Sequence, residues 1–216
     1  NINGTVNHQG TGTMRFRCSL GSNNPLDLVV NHIEISGTTA LRLGDNSSTN
    51  DRLNALTAGS INMNGGILLL NVGLDGATAT VNGELSMSGS STILAAWSQG
   101  TEPNHTLEVG SLVSTDTDPI IAANNYTGTP TYATIDINTA GSASFAGTLQ
   151  DTTGTFAGSS LGVEMNGSGT QTLTGNSNTY GGGTTVNSGA LLINNTSGSG
   201  TGDGTVAITG GTFGGT

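Results

Sequence analysis

The chain has 216 residues, a formal net charge of −10 and only 8% charged residues, where an ordinary soluble domain carries about 25%. It contains no lysine, and its basic residues are Arg15, Arg17, Arg42 and Arg52; so negative a surface repels phosphate backbones and anionic membranes and excludes nucleic acid as the expected partner. Gly fills 36 positions and aromatics are 4%, with Trp97 the single tryptophan, so neither a helical fold nor a core stapled by large rings is expected, and short strands joined by turns are.

The first segment, Asn1-Ile2-Asn3-Gly4-Thr5-Val6, already reads as strand. It starts without Met or a leader, as a mature or trimmed product would. Met14, Phe16 and Cys18 then alternate with Arg15 and Arg17, which places the lone cysteine inward as a small hydrophobe and allows no internal disulfide. From here one pattern recurs, an apolar pair flanking one polar residue, with Gly close behind. It appears as Ile33-Glu34-Ile35-Ser36-Gly37, Ile61-Asn62-Met63-Asn64-Gly65 and Leu85-Ser86-Met87-Ser88-Gly89, then at Leu107-Val109, Ile135-Ile137, Val163-Met165, Val186 and Val206-Ile208. The first apolar positions, Ile33, Ile61, Leu85, Leu107, Ile135, Val163, Val186 and Val206, follow one another at intervals in the twenties. The longest apolar run, Ile67 to Leu70, is far too short to cross a bilayer. Irregular stretches at Gly44 to Asn54 and Pro119 to Tyr132 read as loop excursions.

An interval in the twenties is the length of one β-solenoid coil, and a single coil cannot bury its own apolar face, so coils must stack. A sandwich or up-and-down barrel also gives short strands with frequent turns, but neither requires one unit to resemble the next. The expected fold is all-β: residues 1–216 as one parallel β-helix of about nine coils, a rod of roughly 40 Å at about 4.8 Å per coil. Ile35, Met63, Met87, Val109, Ile137, Met165 and Ile208 should form one inward ladder, with Glu34, Asn62, Ser86 and Asp136 exposed between them.

From Gly169 the chain reads Gly-Thr-Gln-Thr-Leu-Thr-Gly-Asn-Ser-Asn-Thr-Tyr-Gly-Gly-Gly-Thr-Thr-Val-Asn-Ser-Gly-Ala-Leu, ending at Leu191, and Gly204 to Gly215 continues in the same style. Residues 168–215 resemble the autotransporter-associated β-strand repeat, the passenger-associated repeat of bacterial surface proteins; Gln171 stands where that repeat usually has an apolar residue. The resemblance implies a right-handed parallel β-helix, export, and a place outside the cell or on its surface, and it names no catalytic residue. No series of alternating membrane strands of the translocator type is visible, so the chain reads as a passenger-like segment, or as a protein using these repeats without a barrel.

Little in the sequence signals chemistry. Without lysine, a Walker-type phosphate loop is excluded. Gly198 to Gly204 approaches a calcium nonapeptide, but Asp203 falls one place early and only one copy occurs. Asp116 and Asp118 read as turn caps before Pro119 rather than as a metal or acid pair. His8, His32 and His105 fall on different expected coils, so no zinc site is expected. The enzymatic alternative is a polysaccharide lyase or hydrolase, supported by the charged cluster of Arg42, Asp45, Asp51 and Arg52 and otherwise by analogy of fold. Ice binding through threonine ladders needs a stricter Thr-x-Thr registry than these intervals allow. The sequence therefore assigns no catalytic, cofactor-binding or metal residue. It points to an extracellular structural or adhesive element, with surface glycans as a possible partner. Both ends carry strand-like residues without a cap, so end-to-end self-association or continuation into a longer chain is expected.

Overall fold

The computed structural model describes residues 2–16, 26–43, 53–70, 77–98, 104–125, 132–151 and 158–216. These residues contain 17 strands and no helix, and the strands pair in parallel into a 13-stranded and a 4-stranded sheet. The chain is a β-solenoid. Each side is a column of strand segments stacked in register, because alternating residues leave one apolar edge per segment that only the next segment can cover.

Three sides can be followed by their inward residues. On side A, Val30 stacks on Ala58, then Val81, Val109, Ile137, Met165, Val186 and Ile208. On side B, Val6 is followed by Ile33, Ile61, Leu85 and Leu112. The Ser114–Phe145 bridge carries side B onward to Leu173 and Ile193. On side C, Met14 leads to Leu41, Leu68, Ile93, Ile121 and Leu149. Nearly all of these inward residues are buried in one continuous apolar core.

The expected single ladder is corrected here. Instead of one ladder running from Ile35 to Ile208, Ile35, Met63 and Met87 belong to side B, whereas Val109, Ile137, Met165 and Ile208 belong to side A. The structure sets Val109 on Val81 and brings Leu112 to Leu85. The apparent step from Leu85 to Leu107 is thus a change of side, and the true coil interval there runs from Val81 to Val109. Side A carries eight successive rungs from Val30 to Ile208. The four-stranded sheet, Ser142–Phe145, Thr170–Leu173, Ala190–Ile193 and Thr212–Gly215, continues side B. Upstream, sides A, B and C run together as long bent strands such as Leu26–Leu43 and Leu53–Leu70.

The outward residues Glu34, Asn62, Ser86 and Asp136 are half-buried rather than exposed, because the rungs above and below shield each one. Of the stretch expected as a loop at 119–132, Ile120–Asn125 is a strand of side C and 126–131 lie outside the described residues. Of the stretch at 44–54, only the start of Leu53–Leu70 lies within them. Cys18 also lies outside them. Gln171 does face inward and is fully buried.

Candidate functional site

The outward columns carry what polar chemistry the molecule has. On side A, Glu108, Asp136 and Glu164 occupy one column on three successive rungs. Like charges in register repel, and here amides rather than cations surround them. Asn138 Nδ2 donates to Glu108 Oε1 at 3.3 Å, Asn166 Nδ2 to Asp136 Oδ1 at 2.7 Å, and Thr80 Oγ1 to Glu108 Oε2 at 3.2 Å. The amide ladder continues as Asn187 Nδ2 donates to Asn166 Oδ1 at 2.8 Å and Thr209 Oγ1 to Asn187 Oδ1. Tyr132, on the same outer face, donates its hydroxyl to Gly182 O at 2.7 Å. Its pKa is raised by burial and further by the nearby Glu164 carboxylate.

A second arrangement lies at the corner between sides A and B. His32 Nδ1 is 2.7 Å from Ser60 Oγ, and His32 Nε2 is 3.2 Å from Glu34 Oε2. Asn62 Nδ2 donates to both oxygens of Glu34, at 3.1 and 3.0 Å. One coil interval builds this cluster, since it sets His32 beside Ser60 and Glu34 beside Asn62. On the next rung, Ile61 pairs with Leu85, and Glu84 beside it pairs with Ser111. There a groove of about 330 Å³ opens along the corner, lined among others by Asn82, Gly83, Glu84, Ser111, Asn138 and Ser142.

The residues singled out in the sequence fare differently. Of the charged cluster proposed for a lyase, Arg42 lies on side C, its backbone in register with Arg15 and Leu69, and Asp45, Asp51 and Arg52 fall outside the described residues. Asp116 closes a corner: its Oδ2 accepts Gly89 N–H at 2.8 Å, and Ser114 Oγ receives the Asp116 N–H at 3.0 Å. Asp118 is exposed. His105 is buried on side A, away from His32. Among the described residues no group of three His, Cys, Asp or Glu is placed to hold a metal ion. Asp203 donates its backbone N–H to Tyr180 O at 3.1 Å. Sequence reasoning missed the Ser60, His32 and Glu34 cluster, although the interval from Ile33 to Ile61 is the signal that reveals it.

The stretch with the family-like pattern is consumed in holding coils together. Asn178 is buried; its Oδ1 accepts Leu149 N–H from the coil below at 2.8 Å, and its Nδ2 donates to Gly200 O of the coil above at 2.8 Å. Gln171 reaches two rungs back to Leu112, donating to its carbonyl at 2.9 Å and accepting its N–H at 3.3 Å. Tyr180 is fully buried with its hydroxyl 2.8 Å from Thr184 Oγ1, and burial pushes its pKa up to about 12. Gly189 turns the corner with φ +59°, and a Cβ there would run into the carbonyls of Gly167 and Gly169 on the coil below.

Residues 163–193 match the passenger-associated-transport-repeat family. The match covers the stretch that holds Gln171, Asn178, Tyr180 and Gly189, so the matched residues include those that bond one coil to the next. No match to the chain was found among curated proteins or among solved structures.

Proposed function

We propose that this chain is a passenger-type β-solenoid displayed on a bacterial surface or released from it, acting as an adhesive or filament-forming scaffold. The observation that carries this reading is the use of the repeat's own residues: Asn178, Tyr180 and Gly189 are spent on coil-to-coil contacts, and the matched stretch presents no constellation for chemistry. Its function is then the rod itself and the surface the rod carries. Antibodies raised against residues 163–193 are expected to label intact cells of the source organism, and external protease to remove that label. Labelling that appears only after permeabilisation contradicts the reading.

The partner in this proposal is a further β-coil stacked along the axis, from a second copy or from a longer chain. Val206 and Ile208 lie in register on the buried Thr184 and Val186, yet they are 39% and 57% exposed. A further β-coil on this rung buries both and pairs the outer strand edge. Electron microscopy is expected to show filaments that Ile208→Asp abolishes; dispersed particles in both samples contradict the filament.

A further inference from the structure

The corner cluster at His32 goes beyond a scaffold. We infer that Ser60, His32 and Glu34 form a nucleophile relay that accepts acyl groups from esters of neutral, polyhydroxylated compounds bound in the adjoining groove.

The hydrogen bonds fix the roles. A carboxylate only accepts, so the hydrogen shared between His32 Nε2 and Glu34 Oε2 at 3.2 Å belongs to the imidazole. That tautomer leaves the Nδ1 lone pair facing the Ser60 hydroxyl at 2.7 Å, within the distance at which a base takes a proton from a nucleophile. Asn62 holds both oxygens of Glu34, so the orienting group is itself oriented. Nucleophile, base and orienter in this order recur on unrelated folds and are recognised by geometry. Glu34 and Asn62 are positioning residues; Ser60 and His32 are the catalytic pair.

The groove supplies the place for a substrate. Gly83, at the groove's edge, sits against the nucleophile's rung: a Cβ there would lie 2.7 Å from the Gly59 carbonyl oxygen and 3.9 Å from Ser60 Cβ, so the groove begins one rung from Ser60. Register breaks between Ala58 and Ile61 and again between Val81 and Glu84, which takes Gly59, Ser60, Asn82 and Gly83 out of the regular ladder at that corner. The cavity, about 330 Å³, falls at the small end of ligand pockets. Its hydroxyls and carboxamides, Ser111, Ser142, Asn82 and Asn138, suit the hydroxyl groups of a polyol or sugar. Glu84 in the lining, with the net charge of −10, turns away anionic substrates.

The step balances without a cofactor. Ser60 Oγ bonds to the acyl carbon as its proton passes to His32 Nδ1, and the bond from that carbon to the leaving oxygen breaks as His32 returns the proton to it. Water then attacks the acyl-serine by the same route, releasing the carboxylic acid and restoring Ser60.

The test uses the whole chain with a fluorophosphonate probe and with p-nitrophenyl acetate. Peptide mass spectrometry is expected to find the phosphonyl group on Ser60. Release of p-nitrophenol should fall at least tenfold in Ser60→Ala and in His32→Gln, and remain in Ser144→Ala. Glu34→Gln should lower kcat with KM unchanged. A wild-type chain that takes no probe, or takes it elsewhere, overturns the inference without reliance on any variant's folding. So does a Ser60→Ala chain that hydrolyses the ester at the wild-type rate, or a Glu34→Gln chain with wild-type kcat.

Discussion

Residues 26–113 and residues 160–215 build the same kind of coil from different materials. In the first region, one coil runs from Val30 to Ala58 and another from Val81 to Val109, strands reach 18 residues, and the inward columns are Ile, Leu, Met and Val. In the second, the coils from Met165 to Val186 and from Val186 to Ile208 are shorter. The sequence separation of partners on adjacent rungs falls from 28 for Thr80 and Glu108 to 21 for Asn166 and Asn187. After Ser160–Met165, strands there shrink to three or four residues. In these coils buried side chains bond directly to backbone of other rungs: Asn178 serves Leu149 and Gly200, and Gln171 serves Leu112. Apolar area stabilises one end of the described solenoid; satisfied polar staples and close-packed glycines stabilise the other.

The contrast is broken most strongly from the aliphatic side. Met63 is fully buried between Ile35 and Met87, so Met63→Ala should cost about 2 to 5 kcal/mol in urea unfolding through the cavity it leaves. Asn178→Ala strips partners from a buried N–H and a buried carbonyl, for an expected loss of about 2 to 4 kcal/mol. Hydrogen exchange should show that loss first at Leu149 and in residues 199–202, with the Met63 rung unchanged.

Tyr180 sharpens the comparison through pH. Its folded-state pKa of about 12 lies above the ordinary 10.0, so the unfolded chain gives up the proton first. The stabilisation is complete below pH 10 and is withdrawn as pH climbs from 10 toward about 12, by about 3 kcal/mol. Tyr180→Phe should cost about 1 kcal/mol at pH 7, from the lost bond to Thr184, and should flatten the alkaline decline in thermal melts. The smallest effect belongs to the acidic column: Glu108→Gln relieves repulsion with Asp136 and should stabilise by about 0.2 to 1 kcal/mol, a gain that 1 M salt erases.

The middle of the solenoid is legible because Leu107, Ile135 and Val163 repeat at one constant spacing, the spacing that the register keeps. The move from Leu85 to Leu107 is not, since sides A and B share the same apolar-polar-apolar pattern and only strand register tells them apart. Gln171 and Asn178 read as polar, and nothing in alternation says that a buried backbone N–H two rungs away requires an amide. Ser60 and His32 are separated by one coil interval, so their contact follows from the period once sides are assigned, while the groove beside them depends on register breaks that composition does not encode. Ile208 reads as core; its position in the column is as expected, and its exposure arises because no described rung lies over it.

Val109 stacks over Val81 rather than beside Met87, and two outward cysteine pairs test that register. In a Cys18→Ser background, Thr80→Cys with Glu108→Cys places two thiols on adjacent rungs, about one strand spacing apart. Dibromobimane, which becomes fluorescent when it bridges two such thiols, should light up that pair. Ser86→Cys with Glu108→Cys should stay dark, because Ser86 pairs with Val113. Fluorescence from the second pair and none from the first would contradict the register on which both the scaffold and its corner site are built.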